Sequence, residues 1–393
     1  MNGSLKTLVS IHLALFIATA LFGQNKGKKA VPISFPFTEK HWSAKTDNVA
    51  FVDHKSTMAV KSSNDEGFEI LLKDFDFSVG TIEFDVELKG RGFPGIKFHV
   101  DETTGNSETF YLRYFGTLNP ISRNTTQYAA VIDGVNLWDL TDDYQAAATV
   151  FENQWNHIKM VISKNQMKVY VNDMQRAALH VPVLEGLTKS GKISLSGNVI
   201  YANMKITPDT IGELPDVAGY DPTYNDPNYL RNWKVLEPID FPTGKDIMQQ
   251  INTSSGVVIN EAYFDDSKEW KPITAEHRAM VNLTKAFGGT ERNSRRLTWL
   301  KTSITSDKEL EKLLKLGFSD EVWVFINGQP LYQDKNYYGS PGMKEPRGRC
   351  TTDNTSLRIP LVEGENEILI GLTSYFFGWG LVARWDDTSG LRY

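Results

Sequence analysis

The sequence is poor in cysteine: Cys350 is the only one in the chain. A single cysteine excludes an intrachain disulfide and any zinc site built from several thiolates. A thiol enzyme is also a weak expectation, because a lone cysteine is usually a small buried side chain. The fold must therefore depend on its apolar core and its backbone hydrogen bonds.

Neither sign of charge is in large excess. Lys and Arg total 42, Asp and Glu total 48, and the net charge is −6. Binding to nucleic acid needs clustered positive charge, so the composition predicts no nucleic-acid partner. The sequence also lacks a glycine-rich phosphate loop, a serine nucleophile elbow and a dinucleotide fingerprint. Their absence argues against the common nucleotide-dependent and serine-hydrolase classes.

Long apolar runs are confined to the N-terminus. Lys6 precedes the apolar stretch 8–22, and small residues up to Gly23 suit signal cleavage. This pattern predicts a secretory signal over residues 1–23 and a mature start at Gln24. The run is short for a membrane span. We therefore expect export to the periplasm, the cell surface or the medium, and a chain without disulfides suits a bacterial envelope.

The remaining sequence reads as short strands. The chain of 393 residues exceeds what one core usually spans, which predicts two domains. Apolar residues alternate with others in residues 81–88, which predicts a strand. The alternating segments 157–162 and 167–171 are joined by a turn-like link and predict a hairpin. Residues 24–208 therefore predict a β-sandwich or jelly roll. Residues 209–232 contain several prolines and no periodicity, which is typical of a linker.

Residues 233–393 predict a second sandwich. The pair Asn327-Gly328 tolerates positive φ at both positions and predicts a type I′ hairpin. Residues 357–361 and 368–372 are apolar stretches joined by a short turn and suggest a further strand pair. The expected fold class is all-β, with two β-sandwich (jelly-roll) domains in tandem.

Three carboxylates occupy alternate positions of one predicted strand: Glu83, Asp85 and Glu87. Residues two apart in a strand share a face, about 6.6–6.8 Å apart. Paired carboxylates can act as nucleophile and acid/base in glycoside hydrolysis, so the triplet is a candidate catalytic group. The same alternation predicts a solvated face opposite an apolar one. Both interpretations stay open.

A second group of side chains has the chemistry of a sugar site. Aromatic rings stack on the C–H face of a sugar, while guanidinium and amide groups bond its hydroxyls. We expect Arg113, Tyr128 and Trp138 to form the site, with Tyr111 and Asn136 as weaker candidates. Trp138 and Tyr128 would stack, and Arg113 would bond hydroxyls or a uronate. The alternative is that the rings pack at the edge of the core.

The second half offers residues for the rim of a loop-built site, namely Tyr332, Tyr337, Tyr338, Arg347, Arg349 and the aromatic run 375–379. The aromatic run equally suits the core of a sandwich.

Metal binding has little support. His99 and His157 are lone histidines without partners at ligand spacing, although His99 is a further weak candidate for ligand binding. Aspartates within 139–143 and 265–266 can supply oxygens to calcium, but they lack the spacing of a calcium loop. We therefore expect no cofactor, with calcium the one metal for which ligands are present.

Several stretches carry a family resemblance. The segment 154–161, followed by 167–173, resembles the central hairpin of concanavalin A-like and laminin-G-like sandwiches. The segment 110–113 (Phe-Tyr-Leu-Arg) is similar to exported bacterial members, and the resemblance covers roughly residues 35–208. It implies a sandwich whose concave sheet often binds carbohydrate. The 83–87 triplet resembles the signature of laminarinase-like glycosidases but sits on an earlier strand than theirs.

The second half resembles the galactose-binding-like jelly rolls appended to bacterial glycoside hydrolases. The resemblance rests on 232–238, 324–328, 363–368 and 378–380 and covers roughly residues 233–386. It implies a domain that is often structural and only sometimes binds sugar.

These patterns predict an exported protein of polysaccharide utilisation that binds a poly- or oligosaccharide on the concave face of its first sandwich. One alternative is a glycoside hydrolase or lyase that uses Glu83 and Glu87. Another is a structural or adhesion protein that contacts other proteins. The expected partner is carbohydrate, with no nucleic acid and no membrane span.

Overall fold

A computed structural model describes residues 30–115, 119–252, 256–291 and 294–393. The predicted signal, residues 1–23, lies outside the described residues. The described chain is nearly all β-structure and contains one short α-helix, α1 (Leu283–Phe287). The all-β class expected from the sequence is confirmed.

The first part of the chain forms short antiparallel strands. They are β1 (Ile33–Ser34), β2 (Trp42–Ala44), β3 (Val49–His54), β4 (Thr57–Ser62), β5 (Phe68–Leu72), β6 (Gly80–Leu88), β7 (Gly95–Val100), β8 (Ser107–Leu112), β9 (Thr126–Ile132), β10 (Val135–Asn136), β11 (Gln145–Ala146), β12 (Asn156–Ile162), β13 (Met167–Val171), β14 (Leu179–Val181), β15 (Lys192–Gly197) and β16 (Val199–Pro208).

The second part adds longer strands and the 3-10 turn His277–Ala279, whereas the turn Asp142–Tyr144 belongs to the first part. The strands are β17 (Asn232–Val235), β18 (Ile239–Asp240), β19 (Met248–Asn252), β20 (Gly256–Ile259), β21 (Lys271–Thr274), β22 (Val281–Asn282), β23 (Arg296–Ser306), β24 (Leu310–Phe318), β25 (Asp320–Ile326), β26 (Gln329–Asn336), β27 (Thr355–Leu361), β28 (Gly364–Ser374), β29 (Gly380–Trp385) and β30 (Leu391–Arg392).

Two sheets form a sandwich before residue 209. Sheet I has the order β14-β13-β12-β6-β16-β4-β3, and sheet II has the order β10-β9-β8-β7-β15-β5-β2. Ile82 and Phe84 of sheet I share one core with Phe98 and Phe110 of sheet II. The alternation in β6 produces this packing, because every second side chain of a strand points to the same face.

Two predicted hairpins are confirmed. Strands β12 and β13 pair antiparallel around the turn that follows Ile162. Strands β25 and β26 pair around Asn327 and Gly328, whose φ angles are 51° and 76°. Positive φ at both turn positions is the requirement that favours Asn-Gly.

Three further sheets follow residue 231, and the smallest of them consists of β19 paired with β20. Sheet III has the order β21-β17-β23-β28-β25-β26, and sheet IV has the order β22-β29-β24-β27. Strand β25 is buried along its whole length. Its residues Val322 and Val324 face the core between sheets III and IV, whereas Trp323 and Phe325 pack under residues that include Phe241 and Tyr263. Burial of both faces explains why residues 322–326 of β25 form one continuous apolar run.

The predicted pairing of 357–361 with 368–372 is wrong. Strand β27 pairs with β24 in sheet IV, and β28 pairs with β23 and β25 in sheet III. The short link between β27 and β28 is therefore a corner that crosses between two sheets. Asn366 holds this corner, since its side chain accepts from the backbone N–H of Val362 and donates to two carbonyls.

The proline-rich segment contains no strand over residues 209–231, and β17 begins at its last residue, Asn232. The segment nevertheless packs against the β12–β13 turn. The Ser163 hydroxyl donates to the carbonyl of Pro215 at 2.6 Å, and the Gln166 amide donates to the carbonyl of Val217 at 2.7 Å.

Sheet II lies against the second part of the chain. An apolar cluster joins Leu137 and Leu140 to Met280, Cys350 and Val382. Beside this cluster the backbone N–H of Cys350 donates to the carbonyl of Asp139 at 2.9 Å, which helps to hold the loops of the second part against sheet II.

Candidate functional site

The outer face of sheet II is built by strict alternation. In β8, Phe110 and Leu112 point into the sandwich core, so Thr109 and Tyr111 point outward. Arg113 follows the strand on the same face and donates from Nη1 to the Gln127 side chain at 2.7 Å. The face therefore presents a phenol and a guanidinium side by side.

A pocket of about 280 Å³ opens on this face, and both halves of the chain contribute to it. We call it the aromatic pocket, and its lining is Phe93, Gly95, Lys97, Thr109, Tyr111, Arg113, Asn136, Trp138, Ser196, Tyr338, Phe376 and Phe377. Four of the sequence-predicted ligand residues meet here: Tyr111, Arg113, Asn136 and Trp138.

The rings of the aromatic pocket contact one another at defined angles. Trp138 lies edge-on to Tyr338 and Phe377, with centroids 5.1 and 5.8 Å apart. Tyr338 is parallel to Phe376 at 6.3 Å. Phe93, Tyr338 and Phe377 remain 51%, 45% and 39% exposed, whereas Trp138 is 8% exposed. The accessible ring surface therefore belongs to these three residues, and Trp138 supports two of them from beneath.

A second cavity of about 600 Å³ adjoins the aromatic pocket and shares Arg113 and Tyr338 with it. We call it the arginine cavity, and its lining is Arg113, Phe115, Asn119, Ser122, Arg123, Asn124, Thr125, Asp142, Gln145, Tyr338, Glu345, Pro346, Arg347 and Arg349. Guanidinium groups dominate its charge.

Arg349 lines the arginine cavity and contacts a ring of the aromatic pocket. Its guanidinium lies over the Trp138 ring, 5.0 Å from the centroid, and its Nε is 3.1 Å from Asp142 Oδ1. Burial lowers the pKa of Arg349, and the nearby Arg113 lowers it further. Two like charges therefore lie close together at the floor of the site.

Tyr111 lies near both of these charges. Burial raises its pKa well above the usual value, although Arg113 and Arg349 act in the opposite direction. The phenol stays protonated at neutral pH, so its hydroxyl can donate a hydrogen bond to a ligand oxygen.

Loop 375–378 is fixed by two buried carboxylates. Asp139 accepts from the backbone N–H of Gly378 at 3.0 and 3.1 Å, and Asp320 accepts from those of Tyr375 and Phe376. Burial raises the pKa of Asp320 to about 7. These contacts place Phe376 and Phe377 beside sheet II.

The structure corrects the expectation for Tyr128, which lies in the sandwich core. Its hydroxyl donates to Glu108 Oε2 at 2.5 Å and accepts from the Glu185 backbone N–H at 2.6 Å. A ring enclosed on both faces cannot stack on a sugar. Burial raises the pKa of Glu108 to about 7, so this carboxyl is largely protonated below neutral pH.

His99 is also in the interior, which corrects its place among the ligand candidates. It is fully buried, and its Nε2 lies 2.7 Å from the carbonyl of Ser78. Burial lowers its pKa to about 4, so the ring is neutral. A φ of 55° at His99 and a register shift in the paired β15 turn this side chain inward.

The 83–87 triplet lies on the outer face of sheet I, away from the aromatic pocket. Asp85 Oδ1 is 2.7 Å from His157 Nδ1, and Asp85 Oδ2 accepts from Asn203 at 2.7 Å. His157 Nε2 is also 3.6 Å from Glu83. Desolvation opposes ionisation of Asp85, but these hydrogen bonds prevail and lower its pKa.

Glu87 is buried, which corrects the expectation of a solvated face at that position. Lys55, Lys89 and His54 lie 2.8, 2.6 and 2.9 Å from its oxygens. Burial alone would raise the pKa of Glu87, but hydrogen bonds from these bases outweigh it and lower the pKa to about 2. Neither Asp85 nor Glu87 therefore has the raised pKa of a general acid.

The sequence-derived aspartate groups are engaged by protein partners. Asp142 pairs with Arg123 and Arg349, and Asp266 pairs with Lys301. Within the described ranges, no group of three or more His, Cys, Asp or Glu side chains is arranged to hold a metal ion.

Sequence reasoning missed Phe93 and left the loop aromatics undecided. Phe93 follows β6 in a loop without periodicity and meets Tyr111 at 5.7 Å only in the folded chain. Trp379 packs in the core of the second sandwich, whereas its neighbours Phe376 and Phe377 line the aromatic pocket. Phe376 and Phe377 therefore fit the prediction of a rim, and Trp379 fits the prediction of a core residue.

Several solved structures are similar to part of this chain. A carbohydrate-binding module, CBM66 from Bacillus subtilis, is 17% identical, with a TM-score of 0.32, and the match covers 42% of this chain and 95% of that one. A Bacillus licheniformis β-glucanase is 13% identical, with a TM-score of 0.32, and the match covers 44% of this chain and 97% of that one. The exoplasmic/lumenal domain of VIP36 is 11% identical, with a TM-score of 0.30, and the match covers 44% of this chain and 84% of that one.

No family model matches the sequence, and no curated protein matches it. In the part of the chain that the structure describes, no helix is both long enough and apolar enough to cross a bilayer.

Proposed function

We propose that the protein is exported and binds a poly- or oligosaccharide in the aromatic pocket between sheet II and the loops of the second half. The observation that carries the proposal is the combination of exposed rings and hydrogen-bonding groups in one pocket. Phe93, Tyr338 and Phe377 offer ring surface, and such surface suits the C–H faces of pyranose rings.

Polar groups between the rings support the same proposal. Among the described residues, the buried Asn136 Oδ1 has no hydrogen-bond partner, and it lines the pocket. Thr109, Ser196 and Lys97 add hydroxyls and an ammonium group. A few fixed polar groups among apolar ones give a pocket orientation and specificity for a polyhydroxylated ligand.

Affinity electrophoresis tests the proposal. The purified protein is run through gels that contain plant, algal or host polysaccharides, and we expect retardation by at least one polymer. Tyr338→Ala removes an exposed ring and should weaken retention by about fivefold or more, since a stacked ring contributes about 1 kcal/mol or more to binding.

Tyr220→Ala is the matched control, because Tyr220 is 77% exposed and lies in the linker segment. It should migrate as the wild type does. Equal retention of folded Tyr338→Ala and wild type would remove the aromatic pocket as the binding site.

A further inference from the structure

We propose that the arginine cavity is a subsite for the negatively charged group of an acidic sugar, a carboxylate or a sulfate ester. The inference rests on the proposed function, because the cavity opens into the aromatic pocket at Arg113 and Tyr338. A sugar held on the rings would place its substituent at these guanidinium groups.

The charge balance of the cavity favours an anion. Its lining holds four arginines and two carboxylates, so two positive charges lack a counter-charge within that lining. Asp142 already serves both Arg123 and Arg349. Glu345 is exposed and accepts from the backbone N–H of Arg347. Neither carboxylate neutralises Arg113.

Unsatisfied donors point to the same conclusion. Arg349 is 5% exposed, yet within the described chain its Nη2 has no hydrogen-bond acceptor. Its Nε is close to Asp142 but is not aligned for a hydrogen bond. The buried Nε of Arg113 likewise has no acceptor among the described residues. Buried donors without partners are costly, and a bound oxyanion would satisfy them.

The geometry of guanidinium suits such a ligand. Its planar fork donates two parallel hydrogen bonds to a carboxylate or sulfate, and these charge-assisted bonds are stronger than neutral ones. Burial and the proximity of Arg113 already lower the pKa of Arg349. An anion between the two arginines would relieve their repulsion.

Matched polymer pairs test the proposal with the full chain. Polygalacturonate is compared with its methyl ester, and dextran sulfate with dextran, so that each pair differs only in its charged group. Retention by polygalacturonate assigns a carboxylate, and retention by dextran sulfate assigns a sulfate. The neutral partner of the retained polymer should be retained at least about tenfold more weakly.

Two variants locate the contact. Arg113→Gln should lose about tenfold in retention by the acidic polymer, and Arg347→Gln severalfold. Arg347 is exposed, so this second variant should keep the fold even if the first does not. Arg176→Gln removes the same charge from a side chain that is 87% exposed and outside the cavity, and it should retain wild-type binding.

The outcomes separate the inference from the proposed function. Equal retention by a neutral polymer and its acidic counterpart, with Arg347→Gln unchanged, would overturn the anionic subsite and leave the aromatic pocket intact. An equal loss in Arg176→Gln would overturn it as well, because it would indicate unspecific charge attraction. No retention by any acidic or neutral polymer would overturn both.

Discussion

Charged side chains on the two outer faces of the first sandwich differ in how far protein partners satisfy them. On sheet I, Glu87 is enclosed by bases, and Asp85 is held by His157 and Asn203. On the sheet II side, Arg113 and Arg349 keep buried N–H groups that no described residue accepts. The carboxylates of the first arrangement have basic partners within the protein, although Glu87 Oε1, 2.6 Å from Lys89 Nζ, is not aligned for a hydrogen bond. The buried donors of the second arrangement gain partners when an acceptor enters.

This contrast shows why a row of carboxylates is a weaker sign of function than its sequence pattern suggests. Hydrogen bonds and nearby basic side chains stabilise the ionised forms of Glu87 and Asp85 and leave neither as a proton donor at neutral pH. Donors left unsatisfied beside exposed rings are the stronger sign, because native proteins pair nearly all buried polar groups.

Trp138→Ala should give the largest effect on the sheet II side. Trp138 supports Tyr338, Phe377 and Arg349, so its truncation should abolish polysaccharide retention and destabilise the fold by about 3–5 kcal/mol. Trp138→Phe should recover much of the stability. Gel retention and urea unfolding measure the two effects, and retention by folded Trp138→Ala at the wild-type level would contradict the assignment.

Glu87→Gln should give the largest effect on the sheet I side. It leaves Lys55 and Lys89 without their counter-charge and weakens the hydrogen bond with His54, and it should lower the free energy of unfolding by about 1–3 kcal/mol at pH 7. The carboxyl has a pKa of about 2 when folded against 4.5 as its ordinary value. Its contribution is therefore present above pH 4.5 and is lost as the pH falls towards 2.

Urea unfolding at pH 7 and at pH 2.5 tests this predicted direction of the pH dependence. The difference between wild type and Glu87→Gln should shrink at the lower pH. Polysaccharide retention should be unchanged in the variant at pH 7, and a loss there would place the ligand on sheet I instead.

Glu108→Gln should show the opposite pH dependence. Burial raises the pKa of Glu108 from 4.5 to about 7. The stabilising protonated form is fully present below pH 4.5, and its contribution is lost as the pH rises through 7. Relative to the variant, the wild type should lose about 1–3 kcal/mol of unfolding free energy between pH 5 and pH 8. A constant difference across this range would show that Glu108 does not titrate there.

Asp85→Asn should give the smallest effect. The hydrogen bond that His157 donates to Asp85 is the main cause that raises the pKa of His157, so the variant should lower that pKa. Titration of the His157 ring by NMR measures the change, and His180 serves as an internal reference. Polysaccharide retention should not change, because both residues lie on sheet I.

Local patterns predicted much of the fold. Alternation in 81–88 identified β6 and its buried face, and Asn327-Gly328 identified a hairpin. The predicted pairing of β27 with β28 is wrong because a two-residue link fits both a hairpin and a corner between sheets. Only the packing of both strands into different layers decides between them, and that packing is not a local property.

The candidate site was predictable in part. Tyr111, Arg113, Asn136 and Trp138 lie close together in sequence and reach one pocket. Tyr128 belongs to a strand whose apolar residues do not alternate, so its direction could not be read. The approach of Arg349 to Trp138 joins residues from the two halves of the chain, and no sequence pattern signals such a contact.

A crystal structure of the protein with an oligosaccharide cut from the retained polymer tests the account most directly. The account predicts a sugar ring against Tyr338 and Phe377, with its charged group between Arg113 and Arg349. A sugar bound on the outer face of sheet I, near Asp85 and His157, would contradict it.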